Sequence, residues 1–216
     1  MLLPASLQLA AVKRVKAVLF VIALLPLARL LVLGFADQLG ANPIEFVIRS
    51  NGTWALSFVL ITLAVTPLRR LAGAGWLAGL RRMLGLYAFF YACLHVLSYI
   101  WLDQWFDWAA IGKDIVKHPF ILAGFTAFLL LVPLAVTSTD AMLRRLGKRW
   151  KKLHQTLYLI APIAVLHYFW LVKKDITQPV IYALLLALLL GLRLLWKVLE
   201  RPGRHSRLLQ KSPIIR

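Results

Sequence analysis

Long apolar segments alternate along the whole chain with short polar and basic connections. Six of these segments are about as long as a bilayer span, which needs roughly 20 mostly apolar residues; they cover residues 17–36, 52–68, 83–102, 119–138, 154–172 and 178–198. Because the connections are short, the pattern predicts a single domain over residues 1–216 with no second globular module. The predicted fold class is an all-α membrane protein, a bundle of six transmembrane helices.

Composition points to the same class. Of the 216 residues, 61% are hydrophobic and 16% are charged, and the mean hydropathy is +0.77, outside the range of ordinary soluble domains. A soluble fold of this length could not bury apolar runs of this length. The single cysteine, Cys93, lies inside the third predicted span and cannot form an internal disulfide, so we interpret it as a small packing residue.

The distribution of charge predicts an orientation in the membrane. A formal charge of +18 could indicate a nucleic-acid or acidic partner. However, twenty of the 26 basic residues fall in alternate segments that include the N-terminal region and the basic tail 200–216, where the only acids are Asp140 and Glu200. Basic residues in short loops mark the cytoplasmic side. We therefore expect both termini in the cytoplasm and a first span that acts as an uncleaved signal anchor.

Histidine is the side chain that offers chemistry at membrane depth, where polar groups are costly and often functional. No predicted span has a carboxylate at its middle, and the sequence contains no HExxH, CxxC or glycine-flanked serine motif. The five histidines are His95, His118, His154, His167 and His205. We interpret His118, at the outer mouth of the fourth span, and His205, in the tail, as solvated or interfacial imidazoles.

His95 and His167 are predicted to lie at one level of the bundle. His95 follows Arg82 by 13 residues, about 20 Å of helix, and His167 follows Lys152 by 15 residues, about 22 Å. Both helices enter from the same side, so the two imidazoles face each other in the outer half of the membrane. Facing imidazoles from two helices are what axial ligation of a haem iron requires. The alternative is that these histidines only form hydrogen bonds between helices.

A second pair of candidate cofactor-binding side chains, His154 and Arg81, is predicted near the cytoplasmic ends of the helices. His154 lies about 20 Å below His167, and Arg81 lies 14 residues before His95, within about 40° of the same helix face. An arginine there could hold a propionate or a phosphate, or it could only set topology. On an ideal helix, His154 and His167 would point about 140° apart, and Pro162 between them could change that angle.

Four ordered segments resemble the MsrQ family of haem-binding membrane subunits of periplasmic methionine sulfoxide reductase systems, a branch of the ferric-reductase-like transmembrane domains. They are ITLAVTPLRRL (Ile61–Leu71), RRMLGLYAFFYACLHVLSY (Arg81–Tyr99), TSTDAMLRRLGKRWKKLHQTLY (Thr137–Tyr158) and APIAVLHYFW (Ala161–Trp170). The resemblance extends over roughly residues 16–199.

The resemblance implies a haem b protein of the bacterial inner membrane that passes electrons to a periplasmic, MsrP-like molybdopterin subunit, which repairs oxidised envelope proteins. It also implies that the protein binds FMN and draws electrons from the quinone pool. Carried over by position, His95 and His167 would ligate an outer haem iron. His154 would be an iron ligand at an inner cofactor site together with Arg81. The wider superfamily often has a second histidine where this chain has Arg81, so the inner site could hold a second haem or a flavin.

Two functions from different classes therefore remain. The first is a haem electron-transfer subunit whose donor is a quinol or a separate cytosolic flavin reductase, because no GxGxxG nucleotide motif follows Glu200. The outer loops, of which residues 103–118 are the longest, are too short for a catalytic centre, so sulfoxide reduction is expected on the partner. The second is a non-redox membrane protein, such as a small transporter or assembly factor, with packing or metal-binding histidines.

Overall fold

The computed structural model describes residues 5–172 and 174–200, with side chains from Val12 onward. Lys173 and residues 201–216, which include His205 and most of the predicted tail, lie outside the described residues. Over the described part of the chain the structure is helical and contains no strand. Its nine α-helices are α1 (Ala5–Phe35), α2 (Pro43–Leu71), α3 (Arg81–Ser98), α4 (Trp108–Lys117), α5 (Pro119–Val136), α6 (Asp140–Leu146), α7 (Lys148–His154), α8 (Leu157–Leu171) and α9 (Thr177–Leu199).

Five helical segments are long and apolar enough to cross a membrane: Val12–Phe35, Pro43–Leu71, Gly75–Asp103, Pro119–Val136 and Thr177–Leu199. The third comprises α3 with a 3₁₀ turn before it and a π turn, Tyr99–Asp103, after it. The all-α membrane class is thus confirmed. The remaining predicted span, the fifth (154–172), corresponds to α8, which has only 15 residues.

The fifth predicted span does not begin as one continuous helix at residue 154. His154 ends α7, and the chain turns at Gln155 and Thr156 before α8 begins. The turn is tight because the backbone N–H of Thr156 donates to the Leu153 carbonyl at 3.0 Å, three residues back. His154 and His167 therefore belong to two helices, and the angle expected for one ideal helix does not apply.

An aromatic cluster holds the centre of the bundle, where α2 packs along α3. Phe58 of α2 stacks on Tyr91 of α3, with ring centroids 5.5 Å apart. The Tyr91 hydroxyl donates to the Ala23 carbonyl at 2.7 Å, and the Tyr87 hydroxyl donates to the Phe20 carbonyl at 2.8 Å. A buried tyrosine needs such a partner for its hydroxyl, so these two bonds also fix α1 against α3.

A second helix pair forms beside the first, because α5 packs along α8. Ile160 of α8 is fully buried between these elements. The outward faces of the long helices are apolar and exposed, for example Val32 on α1 and Leu184 on α9, each 65% exposed. Contiguous apolar surface of this kind is what a lipid-facing bundle presents.

The predicted outer loop 103–118 contains the helix α4, which the sequence did not predict. Asp107 caps its start, because a carboxylate oxygen accepts hydrogen bonds from the backbone N–H groups of Ala109 and Ala110 at 3.0 and 2.9 Å. Ile111 is buried against the bundle, whereas Trp108 and Val116 are exposed. The helix therefore lies across the end of the bundle above the histidines.

Candidate functional site

A cavity of about 540 Å³ lies between α2, α3, α5 and α8, and both His95 and His167 line it. Their ring centroids are 6.0 Å apart, and the ring planes meet at 70°. The two side chains predicted to share one depth thus lie next to each other across the cavity. The volume falls within the usual range for small-molecule and cofactor pockets, about 300–1,000 Å³.

The neighbouring helix fixes the orientation of each imidazole. His95 on α3 places Nδ1 2.9 Å from the Ile48 carbonyl oxygen of α2. His167 on α8 places Nδ1 2.6 Å from the Phe120 carbonyl oxygen of α5. A carbonyl can only accept, so Nδ1 carries the proton in both rings and Nε2 retains its lone pair. Metal-ligating histidines almost always hold their second ring nitrogen in this way.

Two glycines provide the space in which the rings lie. A Cβ atom at Gly52 would be 3.0 Å from Nδ1 and Cε1 of His95, and one at Gly124 would be 2.7 Å from the same atoms of His167. The second distance is shorter than real Cβ atoms show, so only glycine fits there without a shift. Each imidazole therefore lies directly against the backbone of the helix that anchors it.

The hydrogen bonds that orient His95 and His167 occupy equivalent positions in two similar helix pairs, α2 with α3 and α5 with α8. Each histidine is 47 residues from its carbonyl partner. His95 and His167 are 72 residues apart, as are Gly52 and Gly124. The local sequences agree as well, since ACLH ends at His95 and AVLH ends at His167. The sequence thus carried a signal for the anchoring glycines, a shared offset, that the analysis of histidines alone missed.

These residues fit a haem whose iron both imidazoles would hold. A bond between a metal ion and an imidazole nitrogen is about 2 Å long, so rings whose centroids are 6.0 Å apart leave room for one ion between them. The walls are apolar, with Leu56, Ala127 and Ile160 among the lining residues, and suit a porphyrin rim. Among the described residues, no group of three or more His, Cys, Asp or Glu side chains is placed to hold a metal ion.

Polar side chains lie at the mouth of the cavity next to α4. The Tyr99 hydroxyl donates to Asp114 Oδ2 at 3.1 Å, and His118 Nδ1 lies 3.5 Å from Asp114 Oδ1. Arg49 pairs with Glu45 at 2.6 Å on the same rim. His118, predicted to be a solvated or interfacial imidazole, is half exposed at this mouth and also lines the cavity.

His154 lies at the opposite end of the bundle, partly buried. Its Nδ1 is 3.1 Å from the Trp150 carbonyl, its Nε2 is 3.4 Å from Ser138 Oγ, and its ring stacks on Trp150 with centroids 3.8 Å apart. Arg81, the exposed first residue of α3, is within electrostatic range of His154. The structure therefore brings Arg81 and His154 into one region, separate from the cavity that His95 and His167 line.

Arg193 of α9, one of the basic residues that predict the orientation, makes specific contacts in the structure. Its guanidinium donates to the Leu63 carbonyl of α2 and to the Tyr158 hydroxyl of α8. A half-buried arginine at membrane depth is a functional candidate. Only its position on a helix of 23 mostly apolar residues could have indicated this from the sequence.

Comparison with known proteins identifies the family. The model of the ferric reductase like transmembrane component family matches residues 51–165. The protein-methionine-sulfoxide reductase heme-binding subunit MsrQ of Herminiimonas arsenicoxydans is 54% identical over 195 residues, which cover 89% of each chain. The MsrQ proteins of Azospira oryzae (52% identical, 92% of this chain and 83% of that one) and Ralstonia nicotianae (50% identical, 90% and 91%) are similarly related. No solved structure matches the chain. The chain therefore belongs to the MsrQ family, within the ferric-reductase-like transmembrane components.

Proposed function

We propose that this chain is the haem b electron-transfer subunit of a methionine sulfoxide reductase system in the bacterial inner membrane. In this proposal it accepts electrons at the cytoplasmic end of the bundle and delivers them at the periplasmic end. The recipient is an MsrP-like molybdopterin subunit that reduces methionine sulfoxide in envelope proteins. The names of the related proteins, which are heme-binding subunits of a protein-methionine-sulfoxide reductase, support this assignment.

One observation carries the proposal: two imidazoles from different helices face each other at 6.0 Å, and each is oriented by a backbone carbonyl. In this arrangement the Nε2 atoms of His95 and His167 would hold the haem iron. A haem held there supplies reversible one-electron chemistry at its iron. The protein contributes the ligand orientation, the apolar walls and the polar rim at Tyr99, Asp114 and His118.

Arg81 and His154 belong to a second, inner cofactor position in this proposal. His154 resembles the other two histidines in that its Nδ1 is engaged by a backbone carbonyl, here that of Trp150. Arg81 adds a positive charge suited to a propionate or a phosphate. The occupant is a second haem, with His154 as an iron ligand, or FMN; the donor is the quinone pool or a cytosolic flavin reductase.

The proposal includes six membrane crossings with both termini in the cytoplasm, as one domain. The 15 residues of α8 extend about 22 Å, and the exposed Tyr158 and Trp170 lie near its two ends, as aromatic residues do at membrane interfaces. With α8 counted, the basic end of α9, which contains Arg193 and Lys197, falls on the same side as the segments that contain Arg69, Arg82 and Arg145. With only five crossings it would not.

A visible absorption spectrum of the purified protein tests the proposal against the non-redox alternative. An electron-transfer subunit should show haem bands that dithionite reduces and air reoxidises. A transporter or assembly factor whose histidines only pack or bind a metal should show none. Protein purified with correct membrane insertion, from cells supplied with a haem precursor, but without reducible bands would rule the proposal out.

A further inference from the structure

A second groove opens on the surface of the bundle, far along the helices from the histidine cavity. Its volume is about 340 Å³, and it lies between α2, α8 and α9. Its polar and aromatic lining residues are Thr66, Arg70, Tyr158, Arg193, Trp196 and Lys197. Three of these are cationic, and none of the groove's described lining residues is acidic. Neither Arg81 nor His154 lines it, although Arg81 is within electrostatic range of Arg193.

Arg193 forms the inner wall of this groove and is only partly neutralised. Its guanidinium donates to the Leu63 carbonyl and the Tyr158 hydroxyl, and its Cζ lies 5.0 Å from the centroid of the Tyr158 ring. None of these partners carries a full negative charge. Its Nε is buried and has no hydrogen-bond partner among the described residues. Leaving such a charged group without an anion at membrane depth is costly.

Arg70 and Lys197 form the rim of the groove. Arg70 places its Cζ 5.0 Å from the centroid of the Trp196 ring and is within electrostatic range of Arg193. It also pairs with Glu200 at 3.0 Å, outside the groove. That pair is exposed, and exposed pairs contribute little, so a ligand can compete with it. An anion between Arg70 and Arg193 would relieve the repulsion between two like charges.

We propose that this groove binds a phosphate group, with Arg70, Arg193 and Lys197 as its cationic contacts and Thr66 as a further hydrogen-bond donor. Arginine suits phosphate because its guanidinium donates two parallel hydrogen bonds. The groove lies at the basic ends of α2 and α9, and basic pockets between transmembrane helices on the cytoplasmic side bind anionic lipid headgroups. The phosphate therefore comes from an anionic phospholipid or from a free phosphate in solution.

Native mass spectrometry of the detergent-purified full-length chain tests this site with phosphatidylglycerol and phosphatidylcholine as probes. The wild type should retain phosphatidylglycerol in preference to phosphatidylcholine. Each Lys or Arg near a charged headgroup contributes about a factor of five. Arg70→Gln with Lys197→Gln should therefore weaken retention roughly twenty- to thirtyfold. The matched control is Arg69→Gln with Arg145→Gln, which removes two exposed charges outside the groove lining and should change retention less than about threefold.

Inorganic phosphate distinguishes the two sources. If it displaces phosphatidylglycerol and raises the melting temperature of the wild type but not of the Arg70/Lys197 variant, the ligand is a free phosphate. If it does neither while the lipid preference holds, the ligand is a lipid headgroup. Equal retention by wild type and the Arg70/Lys197 variant, or an equal loss in the control variant, would overturn the proposal. An unchanged absorption spectrum in both variants shows that the bundle has folded and separates this site from the proposed haem function.

Discussion

Gly124 lies so close to His167 that a methyl group at this position would overlap the imidazole. The Cβ of Gly124→Ala would be 2.7 Å from Nδ1 and Cε1 of His167. Overpacking of this kind costs about 1–3 kcal/mol, or roughly a five- to hundredfold loss in affinity. We expect the haem-to-protein ratio of Gly124→Ala to fall, and that of Gly52→Ala, where the distance is 3.0 Å, to fall less.

Gly191→Ala is the matched control for the glycine series, because nothing lies within 4 Å of its Cβ. Alanine is a better helix former than glycine by about 0.5–1 kcal/mol, so this variant should keep its haem and lose no stability. The haem content is measured by the pyridine haemochrome method. A wild-type value in Gly124→Ala would show that the His167 ring does not lie against Gly124 in the haem-containing protein.

Arg81 tests whether the inner site exists. Arg81→Ala and His154→Ala should slow reduction of the haem by a quinol or a flavin reductase, while the spectrum of the outer haem stays unchanged. The reason is that both residues lie at the opposite end of the bundle from His95 and His167. Arg145→Ala, an exposed arginine that neither lines the cavity nor contacts His154, is the control. Reduction at the wild-type rate in both variants would remove the inner site.

At the residue scale, the sequence predicted which imidazoles meet but not what holds them. The depths of His95 and His167 follow from counting residues along helices, and their proximity in the structure agrees with that count. Their carbonyl partners, at Ile48 and Phe120, depend on which helices are neighbours. The apolar periodicity of one helix does not indicate which helices are its neighbours. These carbonyl partners therefore could not be predicted from the sequence pattern.

α7 depends on Trp150 for its position in the bundle. The Trp150 indole N–H donates to the Thr137 carbonyl at the end of α5 at 2.8 Å, and its ring supports His154. We expect Trp150→Ala to slow electron entry as His154→Ala does, and Trp150→Phe, which keeps a ring but loses one hydrogen bond worth about 1 kcal/mol, to have a smaller effect. Stopped-flow reduction by a quinol measures both.

Trp170→Ala is the control for these tryptophan variants, because Trp170 is 49% exposed at the other end of α8. It removes the same volume without touching α7. If a quinol reduced the haem of Trp150→Ala as fast as that of Trp170→Ala, the position of α7 would not matter for electron entry.

At the element scale, apolar length predicted the long helices well and the short ones poorly. The break between α7 and α8 falls at Gln155 and Thr156, in a stretch whose residues are compatible with a continuous helix. The first residue of α6, Asp140, forms an exposed ion pair with Arg82 of α3, which lowers the pKa of the Asp140 carboxyl. Contacts of this kind join residues distant in sequence, and apolar length does not reveal them.

The whole molecule has an apolar exterior and one strongly basic set of segments, and this asymmetry predicts its topology. A green fluorescent protein fused after Arg216 should fluoresce, because it stays in the cytoplasm. Alkaline phosphatase inserted in the connection between α1 and α2, residues 36–42, should be active in the periplasm. The same enzyme inserted at Thr139, between α5 and α6, should be inactive.

An active phosphatase at the C-terminus would mean that α8 does not cross the membrane. In that case the basic segment before α8 and the basic end of α9 would lie on opposite sides. His95 and His167 could then still meet, so this experiment tests the membrane topology independently of haem binding.

The central claim is that His95 and His167 together hold one haem, and the haem-to-protein ratio of their alanine variants tests it most directly. Truncation of either ligand removes an axial bond and opens the cavity. We predict that His95→Ala and His167→Ala each lose the outer haem, whereas their exposed neighbours Leu97→Ala and Leu166→Ala keep it. Unchanged haem-to-protein ratios in both histidine variants, with correctly inserted protein, would contradict the account.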